Sequence, residues 1–520
     1  MHQGTDGNAA DWFIDRHLRD GHADRLAFTD PWRSMTYGEL AEATRRFANA
    51  LCGAGIAREQ RLALLLLDTI DFPVAFWGAL RAGVIPVPIN TLLTADTVAY
   101  ILADCRAAAV AVSAPLAEAL VPVFLDQPHL RRIIVSRPDG SGADDERSVG
   151  FADFLGNADP GGTNVPASPD EVAFWLYSSG STGAPKGVRH VHGSLRATAD
   201  TYSSQVLKIQ PDDIMFSAAK AFHAYGLGNA MTFPMSVGAR TVLLPGRPTP
   251  DAVMATMRKY NPTIFAGVPT LYASMLANPF IGPGAGSERL RRCISAGEAL
   301  PADIGHRWRA QVGVDILDGI GSTEMLHIFI SNRDDDVRYG TSGKPVPGYE
   351  AQVVDDHGRP VPHGETGELI IRGPSAADGY WNQRDKSRRT FRGEWTHTGD
   401  TYTRDAEGYY RYCGRSDEML KVSGIWVSPF EVEEALISHP AVLEAAVVGK
   451  QDADRLTKPK AFIIVRDEAR GQDEHMLAEA LKAHVKDRIG VWKYPRWIAF
   501  VDNLPKTATG KIQRFRLRDE

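Results

Sequence analysis

A glycine- and hydroxyl-rich stretch, YSSGSTGAPKG at residues 177–187, continues the apolar run EVAFWLY and contains one lysine. Glycines let backbone N–H groups converge on an anion, and serine and threonine hydroxyls add donors. Lys186 adds a point charge suited to phosphate. The stretch differs from the common P-loop, in which serine or threonine follows GK, because Gly187 follows Lys186. We therefore interpret it as a phosphate-binding loop that leaves a sheet, with a plain surface turn as the alternative.

Further strings that combine glycine with charged residues lie at the ends of strand-like runs, where open α/β sheets bind ligands. They are SAGEAL at 295–300, DGIGSTEM at 318–325, WTHTGD at 395–400, GRSDEMLKVSG at 414–424 and PKTATGK at 505–511. Each string alone is a weak signal. Their joint presence in this order is a specific one.

The elements that position these strings predict an α/β fold. Before residue 330, strand-like runs such as RLALLLLD and PTIFAGV alternate with helix-like runs such as DAVMATMRKYN. This alternation is typical of parallel sheets covered by helices, and it occurs in two blocks that we interpret as two stacked α/β subdomains. Residues 340–415 carry short strands with Gly and Asp turns, which predict a β-rich subdomain. A compact α+β tail follows, in which Ser428, Pro429 and Glu431 form a capping-box helix start.

Length and composition exclude several classes of protein. The chain has 520 residues, which is longer than a single hydrophobic core usually supports. It has 43% hydrophobic residues and a net charge of −6. It has no extended basic stripe, so nucleic acid is not expected as a partner. Its aliphatic runs are too short to span a bilayer, and the N-terminus lacks the shape of a signal peptide. Four widely spaced cysteines, without CxxC, fit a reducing cytoplasm rather than a disulfide framework.

Taken together, the six strings resemble those of the adenylate-forming superfamily of acyl-CoA synthetases, luciferases and peptide-synthetase adenylation domains. The resemblance extends from about Leu62 to Lys511. It implies that a carboxylic acid reacts with ATP to give an acyl-adenylate and pyrophosphate, and that a thiol then displaces AMP. An anion attacks a polyanion in the first step, so catalysis should rest on charge neutralisation and in-line positioning.

The resemblance assigns catalytic roles to Lys511, Thr323 and Glu324, with Glu324 as the Mg²⁺ ligand, since a carboxylate with phosphates and waters suits this ion. Asp400 should accept the ribose hydroxyls, and Arg415 should reach the ribose or phosphates. The implied ATP- and AMP-binding residues are Ser178, Ser179, Gly180, Ser181, Thr182, Gly183, Lys186, Gly297, Glu298, Asp318, Gly319, Ile320, Asp400 and Arg415. Taken singly, Glu324 could instead complement a helix dipole, and Asp400 and Arg415 could be an ordinary turn acid and a surface ion-pair partner.

Lys511 lies in the tail, although it must reach a site built by the first 415 residues. The resemblance therefore implies an N-terminal ATP- and acid-binding domain, 1–416, and a small mobile C-terminal domain, 417–520, which rotates between the half-reactions. The hinge and CoA path would consist of Asp417, Lys421, Ser423 and Gly424, although Gly424 could be a simple turn glycine. The string around Lys511 also resembles a site for protein acetyltransferases, which would remove its charge.

The acid pocket resembles that of the benzoate-CoA ligase branch. The strings KAFHAYGLGNAMTFPMSVGARTVLLPGRPTP and DGIGSTEMLHIFIS carry this likeness. The implied pocket residues are His223, Ala224, Tyr225, Gly321, His327 and Ile328. Flat, small and branched side chains make a short slot for a planar ring. The alternative is that FHAYGLG is a packed core helix.

Adenylation domains of peptide synthetases hold the α-ammonium group of an amino acid with an aspartate at the start of the pocket helix. The neighbourhood of His223 has no such acid, so CoA is the expected acceptor. We predict a cytoplasmic ligase that uses benzoate, ATP, Mg²⁺ and CoA, as a monomer or homodimer. A hydroxy- or aminobenzoate, cyclohexanecarboxylate or a medium-chain fatty acid remain alternative substrates, and luciferase-like oxidation stays open. A different class, an ATPase or nucleotide-binding regulator, would fit the glycine loop but would not need Lys511, Asp417 and Gly424.

Overall fold

The structure is a computed structural model, and it describes residues 7–137, 148–156, 158–162, 164–180, 183–415, 419–422, 425–452, 456–491, 493–506 and 512–518. The helices are α1 Arg16–Arg19, α2 Tyr37–Gly53, α3 Asp71–Arg81, α4 Ala95–Cys105, α5 Ala114–Leu125, α6 Phe151–Gly156, α7 His192–Thr198, α8 Ala224–Leu227, α9 Phe233–Met235, α10 Pro250–Tyr260, α11 Pro269–Leu276, α12 Ala302–Val312, α13 Arg384–Thr390, α14 Pro429–Ile437, α15 Glu474–Ile489 and α16 Arg514–Leu517. Wider π-helical turns are Asp11–Asp15, Ala199–Leu207 and Gly228–Thr232, and 3₁₀ turns are Pro283–Gly286 and Asp467–Ala469.

The strands are β1 Leu26–Thr29, β2 Ser34–Thr36, β3 Arg61–Leu65, β4 Ile85–Pro88, β5 Ala107–Ser113, β6 Arg132–Ser136, β7 Ser148–Gly150, β8 Val172–Gly180, β9 Gly183–Val191, β10 Ile214–Ser217, β11 Arg240–Val242, β12 Ile264–Gly267, β13 Arg292–Ser295, β14 Ile316–Gly321, β15 Ile328–Ser331, β16 Lys344–Pro345, β17 Glu350–Val354, β18 Thr366–Arg372, β19 Gly379–Tyr380, β20 Phe391–Arg392, β21 Trp395–Arg404, β22 Tyr410–Arg415, β23 Leu420–Val422, β24 Ile425–Val427, β25 Val442–Gln451, β26 Thr457–Val465 and β27 Trp497–Phe500.

Two largely parallel sheets form the body of the first domain. One has the order β4-β3-β5-β6-β7, with every pair parallel. The other has the order β16-β15-β14-β13-β12-β10-β11-β1-β2, and it is parallel from β14 to β1 with antiparallel strands at both edges. Strands such as β5 are buried along their full length, as parallel strands covered on both faces should be. This arrangement confirms the two predicted α/β subdomains.

Local sequence explains where the main helices begin. Thr36 and Glu39 form a complete capping box at the start of α2. Thr249 caps α10, in which Pro250 occupies the first turn, where its missing N–H costs nothing. Of the two hydrogen bonds in the predicted capping box of α14, the structure shows the one accepted by the Ser428 side chain. Ser428 accepts a hydrogen bond from the Glu431 backbone N–H, but the Glu431 carboxylate contacts Lys493 Nζ at 2.6 Å.

The β-rich subdomain and the tail also form as predicted. The subdomain is an antiparallel sheet in the order β17-β18-β21-β20, with β22 paired to β21. In the tail, α14 and α15 pack on the sheet β25-β26-β27 around a separate apolar core. The tail meets the first domain where the Phe430 ring packs edge-to-face on Tyr412 of β22, with 5.3 Å between ring centroids. Within the described residues, no helix is long and apolar enough to cross a membrane.

Candidate active site

The glycine-rich stretch is a hairpin rather than a loop that leaves a sheet. Strand β8 continues through Ser178, Ser179 and Gly180, and β9 begins at Gly183, with Ser178 opposite Lys186 in the register. The expectation of an irregular loop is therefore wrong for most of the stretch. Two of the residues predicted to bind phosphate through their hydroxyls, Ser181 and Thr182, lie outside the described residues.

The base of this hairpin is tied to other parts of the first domain. Trp381 donates its backbone N–H to Gly187 O at 2.8 Å and its indole N–H to Asp104 O at 2.9 Å. The Tyr177 hydroxyl donates to the Asp104 carboxylate, and the rings of Trp175 and Trp381 pack 4.7 Å apart. These contacts join β8, β9, α4 and the segment after β19, so the position of Lys186 is set by tertiary packing.

Lys186, Glu324 and Tyr380, which we call the phosphate cluster, contact one another. Lys186 Nζ lies 2.8 Å from Glu324 Oε1 and 2.9 Å from the Tyr380 hydroxyl, which is itself 2.8 Å from Glu324 Oε1. Both charged side chains are largely buried, with exposed fractions of 13% for Lys186 and 15% for Glu324. Burial raises the pKa of Glu324, but the charge and hydrogen bond of Lys186 outweigh it and leave the pKa below its ordinary value. The carboxylate is therefore ionised at neutral pH.

The loop that carries Thr323 and Glu324 is held mainly through its backbone. Burial lowers the pKa of His190 to about 4, so this ring is neutral, and its Nε2–H donates to Thr323 O at 2.8 Å. The backbone N–H of Ala377 donates to Glu324 O at 2.8 Å, and Ser375 Oγ donates to Met325 O at 2.7 Å. The loop conformation is thus fixed independently of the Glu324 side chain.

The structure brings two of the predicted nucleotide-binding residues, Asp400 and Arg415, together across β21 and β22. Arg415 Nη1 lies 3.1 Å from Asp400 Oδ1 and 3.0 Å from Thr398 O. Gly399 lies within β21 with φ +69°, a backbone conformation that residues with a side chain rarely adopt, so a glycine is favoured at this position. Arg415 also acts electrostatically on Tyr380, which connects this pair to the phosphate cluster.

Other predicted nucleotide-binding residues follow β13 and β14. Gly297, with φ +97°, and half-buried Glu298 come directly after β13. Asp318 lies on β14, where burial raises its pKa to about 8. Gly319 and Ile320 continue β14. A Cβ at Gly319 would lie 2.8 Å from Ile328 Cγ2, so this glycine makes room for an acid-pocket residue.

The residues predicted to surround an aromatic ring lie together, and we call Ala224, Tyr225, Gly321, His327 and Ile328 the ring slot. Gly321 of β14 is opposite Ile328 of β15 in the register. His327 Nε2 lies 3.3 Å from Tyr225 O, and the two rings are 5.6 Å apart. Ala224 begins α8 directly after half-buried His223, and the helical turns continue without a break through Gly228–Thr232 and α9.

Hydrogen bonds and burial fix the slot side chains. The Tyr225 hydroxyl lies 3.1 Å from both Gly267 O and Ile294 O, the ends of two neighbouring parallel strands. His327 is 3% exposed, packs on Tyr202 and Phe233, and has its pKa lowered to about 3 by burial. The slot therefore presents neutral, planar side chains at neutral pH.

Several predicted residues of the tail lie outside the described residues. These are Lys511, Asp417, Ser423 and Gly424. Lys421 lies on β23, which pairs antiparallel with β24.

Sequence analysis missed Tyr380 and His190 as parts of the site. It also missed a pair in which Lys220 Nζ lies 3.8 Å from Oδ2 of the buried Asp68 carboxylate. Only the position of Lys220 at the start of the aromatic string KAFHAYG could have drawn notice. Tyr380 and His190 carry no charge at neutral pH and follow no glycine-rich pattern.

The fold and this site define an adenylate-forming enzyme. Residues 15–381 match the model of the AMP-binding enzyme family, and residues 431–511 match the model of the AMP-binding enzyme C-terminal domain. The chain belongs to the AMP-binding enzyme family.

Among its curated relatives, a benzoate-CoA ligase of Thauera aromatica is 53% identical, covering 98% of this chain and 95% of the relative. A 4-hydroxybenzoate-CoA/benzoate-CoA ligase of Rhodopseudomonas palustris is 51% identical, covering 99% and 94%. The crystal structure of a benzoate CoA ligase from Burkholderia xenovorans LB400 is 50% identical with a TM-score of 0.90, covering 98% of this chain and 99% of that one. An anthranilate CoA ligase in complex with anthranoyl-AMP is 42% identical with a TM-score of 0.92, covering 98% and 96%. The predicted superfamily and its benzoate-CoA ligase branch are confirmed.

Proposed function

We propose that the protein is an ATP-dependent aryl-CoA ligase that converts benzoate, or a close aryl acid, with ATP and CoA to the aryl-CoA, AMP and pyrophosphate. The observation that carries this proposal is the β14–β15 connection. Its loop carries Glu324 of the phosphate cluster, and its two strands supply Gly321 and Ile328 of the ring slot. An acid held in the slot would therefore meet the triphosphate at one place. The relatives at 51–53% identity, both of which are named as benzoate-CoA ligases, support the same reaction.

The phosphate cluster supplies charges for the first half-reaction. Lys186 would turn its ammonium toward the β- and γ-phosphates, and the ionised Glu324 carboxylate is a suitable oxygen ligand for Mg²⁺. Among the described residues, no group of three or more His, Cys, Asp or Glu side chains could hold a metal ion, which fits an ion held by one carboxylate together with phosphates and water. When bound, Mg²⁺ neutralises phosphate charge. Asp400 and Arg415 would then hold the ribose end of the nucleotide.

The ring slot favours a planar acid over a chain. Tyr225 and His327 present two flat rings, and Ile328, which is 1% exposed, contributes a branched apolar side chain to the same slot. The carboxylate of a bound benzoate would extend toward Thr323 and the α-phosphate. Hydroxy- and aminobenzoates are the nearest alternative substrates, since similar proteins include a hydroxybenzoate-CoA ligase and an anthranilate CoA ligase.

For the second half-reaction we propose rotation of a C-terminal domain, 417–520, relative to 1–416, with Asp417 as hinge and Lys421, Ser423 and Gly424 along the CoA path. Lys511 would act only during adenylation. Lys511→Ala should therefore lower pyrophosphate release by roughly 10²–10³-fold, while thioester formation from supplied benzoyl-AMP and CoA continues. Gly424→Leu should do the reverse. Equal loss of both half-reactions in Lys511→Ala would contradict the rotation.

Two further assignments belong to the same proposal. Acetylation of Lys511 by a protein acetyltransferase would remove the charge needed for adenylation. A cytoplasmic location is supported by the four cysteines, all of which are free thiols.

Pyrophosphate release across a panel of acids tests the function. We expect release that depends on acid, with benzoate exceeding hexanoate and dodecanoate in kcat/KM, and AMP as the nucleotide product. Release of ADP and phosphate without acid would identify an ATPase instead. Preference for dodecanoate would overturn the ring slot while leaving the ligase chemistry intact.

A further inference from the structure

Tyr380 contacts both opposite charges of the phosphate cluster. Its side chain is largely buried, with 4% of the residue exposed, and its hydroxyl lies 2.9 Å from Lys186 Nζ and 2.8 Å from Glu324 Oε1. The Lys186 ammonium also lies over the Tyr380 ring, 4.3 Å from its centroid. One neutral side chain thus stabilises a cation through its oxygen and ring face, and an anion through its O–H.

Backbone contacts fix the place of Tyr380. It pairs with Val188 of β9, two residues beyond Lys186, and its backbone N–H donates to Ser387 Oγ at 3.0 Å. Ala377, three residues earlier, donates its N–H to Glu324 O at 2.8 Å. The segment around Tyr380 therefore spans the gap between the strand that carries Lys186 and the loop that carries Glu324.

The hydrogen-bond chemistry has one consistent arrangement. A carboxylate oxygen can only accept, so the Tyr380 O–H donates to Glu324, and the Lys186 ammonium donates to the phenol oxygen. Burial, with the Glu324 charge adding to it, raises the pKa of Tyr380, so the phenol keeps its proton. Lys186 and Glu324 also contact each other directly, and this contact must weaken if the ammonium is to reach a phosphate.

We propose that Tyr380 is a positioning residue for ATP, which keeps a hydrogen bond on Glu324 when Lys186 moves from that carboxylate to the triphosphate. The proposal rests on the proposed function for the identity of the ligand. Without the hydroxyl, the departing ammonium would leave a largely buried carboxylate with one donor fewer. The Lys186–Glu324 pair would then resist opening, and ATP would bind less well.

Tyr380→Phe removes only the hydroxyl and tests this directly. We expect the Kd of ATP, measured calorimetrically without acid at fixed Mg²⁺, to rise roughly 10-fold to 100-fold, the range for a lost hydrogen bond to a charged group. The KM for ATP should rise in parallel. The KM for benzoate, and thioester formation from supplied benzoyl-AMP, should change less than about twofold, because neither requires the triphosphate.

Tyr37→Phe is the matched control. Tyr37 is fully buried, and its hydroxyl donates to Ala239 O at 2.8 Å in another part of the fold. This variant also loses one buried hydrogen bond, so its Tm should fall as that of Tyr380→Phe does, while its ATP Kd should stay at the wild-type value. Equal rises of ATP Kd in both variants would mean that general destabilisation, rather than positioning, is responsible.

A double-mutant cycle with Lys186→Met provides the second readout. If Tyr380 acts through Lys186 and Glu324, the effects of Lys186→Met and Tyr380→Phe on ATP Kd will be strongly non-additive. Additive effects, or an unchanged ATP Kd in Tyr380→Phe, overturn the proposal. Because these measurements use ATP without acid, they stay interpretable if the acid panel contradicts the ligase, so the two failures are distinguishable.

Discussion

The phosphate cluster and the ring slot share the β14–β15 connection, yet they are built by different means. In the phosphate cluster, an ammonium, a carboxylate and a phenol satisfy one another directly. In the ring slot, Tyr225 and His327 are held by main-chain carbonyls and by neighbouring rings. One region depends on charge, and the other on shape.

Because of this difference, the two regions should tolerate different substitutions. A charge removed from a largely buried, hydrogen-bonded cluster leaves its partner unpaired, which is costly. A methyl group added to or removed from the slot changes packing by a smaller amount. The phosphate cluster should therefore control the rate with every acid, whereas the slot should control which acid is used.

Glu324→Gln is expected to have the largest effect. The amide keeps the shape but removes the negative charge, so adenylation should fall roughly 10²–10³-fold, the usual cost of one electrostatic group at a reacting centre. The fall should be similar for benzoate and for any weaker acid substrate, as measured by pyrophosphate release. Glu394→Gln, on a side chain that is 75% exposed, provides the control and should leave the rate unchanged. A loss of rate in Glu324→Gln that differs from one acid to another would contradict the proposal that the phosphate cluster controls the rate with every acid.

Among the substitutions that act on the ring slot alone, Gly228→Ala should have the largest effect. A Cβ at Gly228 would lie 2.5 Å from His327 Cδ2 and 2.9 Å from Phe233 Cζ. Because surrounding rings confine His327, the free energy of unfolding should fall by an amount in the upper part of the roughly 1–3 kcal/mol range for overpacking. Displacement of the His327 ring should also lower kcat/KM for benzoate, with an unchanged KM for ATP. Gly53→Ala, where a Cβ meets no atom within 4 Å, is the matched control.

Ile328→Ala should enlarge the slot rather than distort it. Benzoate should lose about 1–3 kcal/mol of transition-state binding, the usual worth of apolar contact in a pocket. Ring-substituted benzoates should become better substrates relative to benzoate. Measuring kcat/KM for benzoate and for 4-substituted benzoates in both enzymes tests this expectation, and no change for either acid would mean that Ile328 does not face the ring.

The prediction with the least effect on activity at neutral pH concerns the dependence of stability on pH. Burial lowers the pKa of His327 to about 3 in the folded state, against an ordinary value near 6.5. Above pH 6.5 the residue is neutral in both the folded and the unfolded state, so its protonation does not lower the free energy of unfolding there. As pH falls from 6.5 toward 3, only the unfolded chain takes up this proton, and stability decreases by at most about 1.4 kcal/mol per pH unit.

Replacing this residue, as in His327→Leu, should flatten the dependence of unfolding free energy on pH between 6 and 4. Denaturant unfolding at several pH values measures that slope, with wild-type protein alongside. An identical slope in the variant would show that His327 does not titrate as its burial requires.

Much of the fold could be predicted from the sequence, because buried parallel strands and capped helices carry local patterns. The strand β3 and the helix α10 are predicted directly from RLALLLLD and from DAVMATMRKYN. The ring slot could be predicted as a group through the family likeness of its two strings. Its hydrogen bonds could not, because they join Tyr225 to carbonyls on strands that no local pattern pairs with it.

Tyr380 shows why other parts of the site could not be predicted. It lies 194 positions from Lys186, and its partners are chosen by the pairing of β19 with β9 rather than by any motif around it. The glycine-rich stretch was misread for the same reason. Glycines and hydroxyls are typical of loops, but here β8 and β9 pair with each other, and β9 also pairs with β19, a strand from far along the chain.

The β14–β15 connection also has a consequence for how relatives of this enzyme can change over evolutionary time. The loop with Thr323 and Glu324 begins after Gly321 and ends at His327 and Ile328, so one short segment serves both regions. Side chains at its slot end can be exchanged, and each exchange gives selection a new acid to work on while Glu324 stays in place. Its length has no such freedom, because one inserted residue would shift the strand register and turn Ile328 to the opposite face. Lineages should therefore diversify at this segment by substitution and keep its length constant.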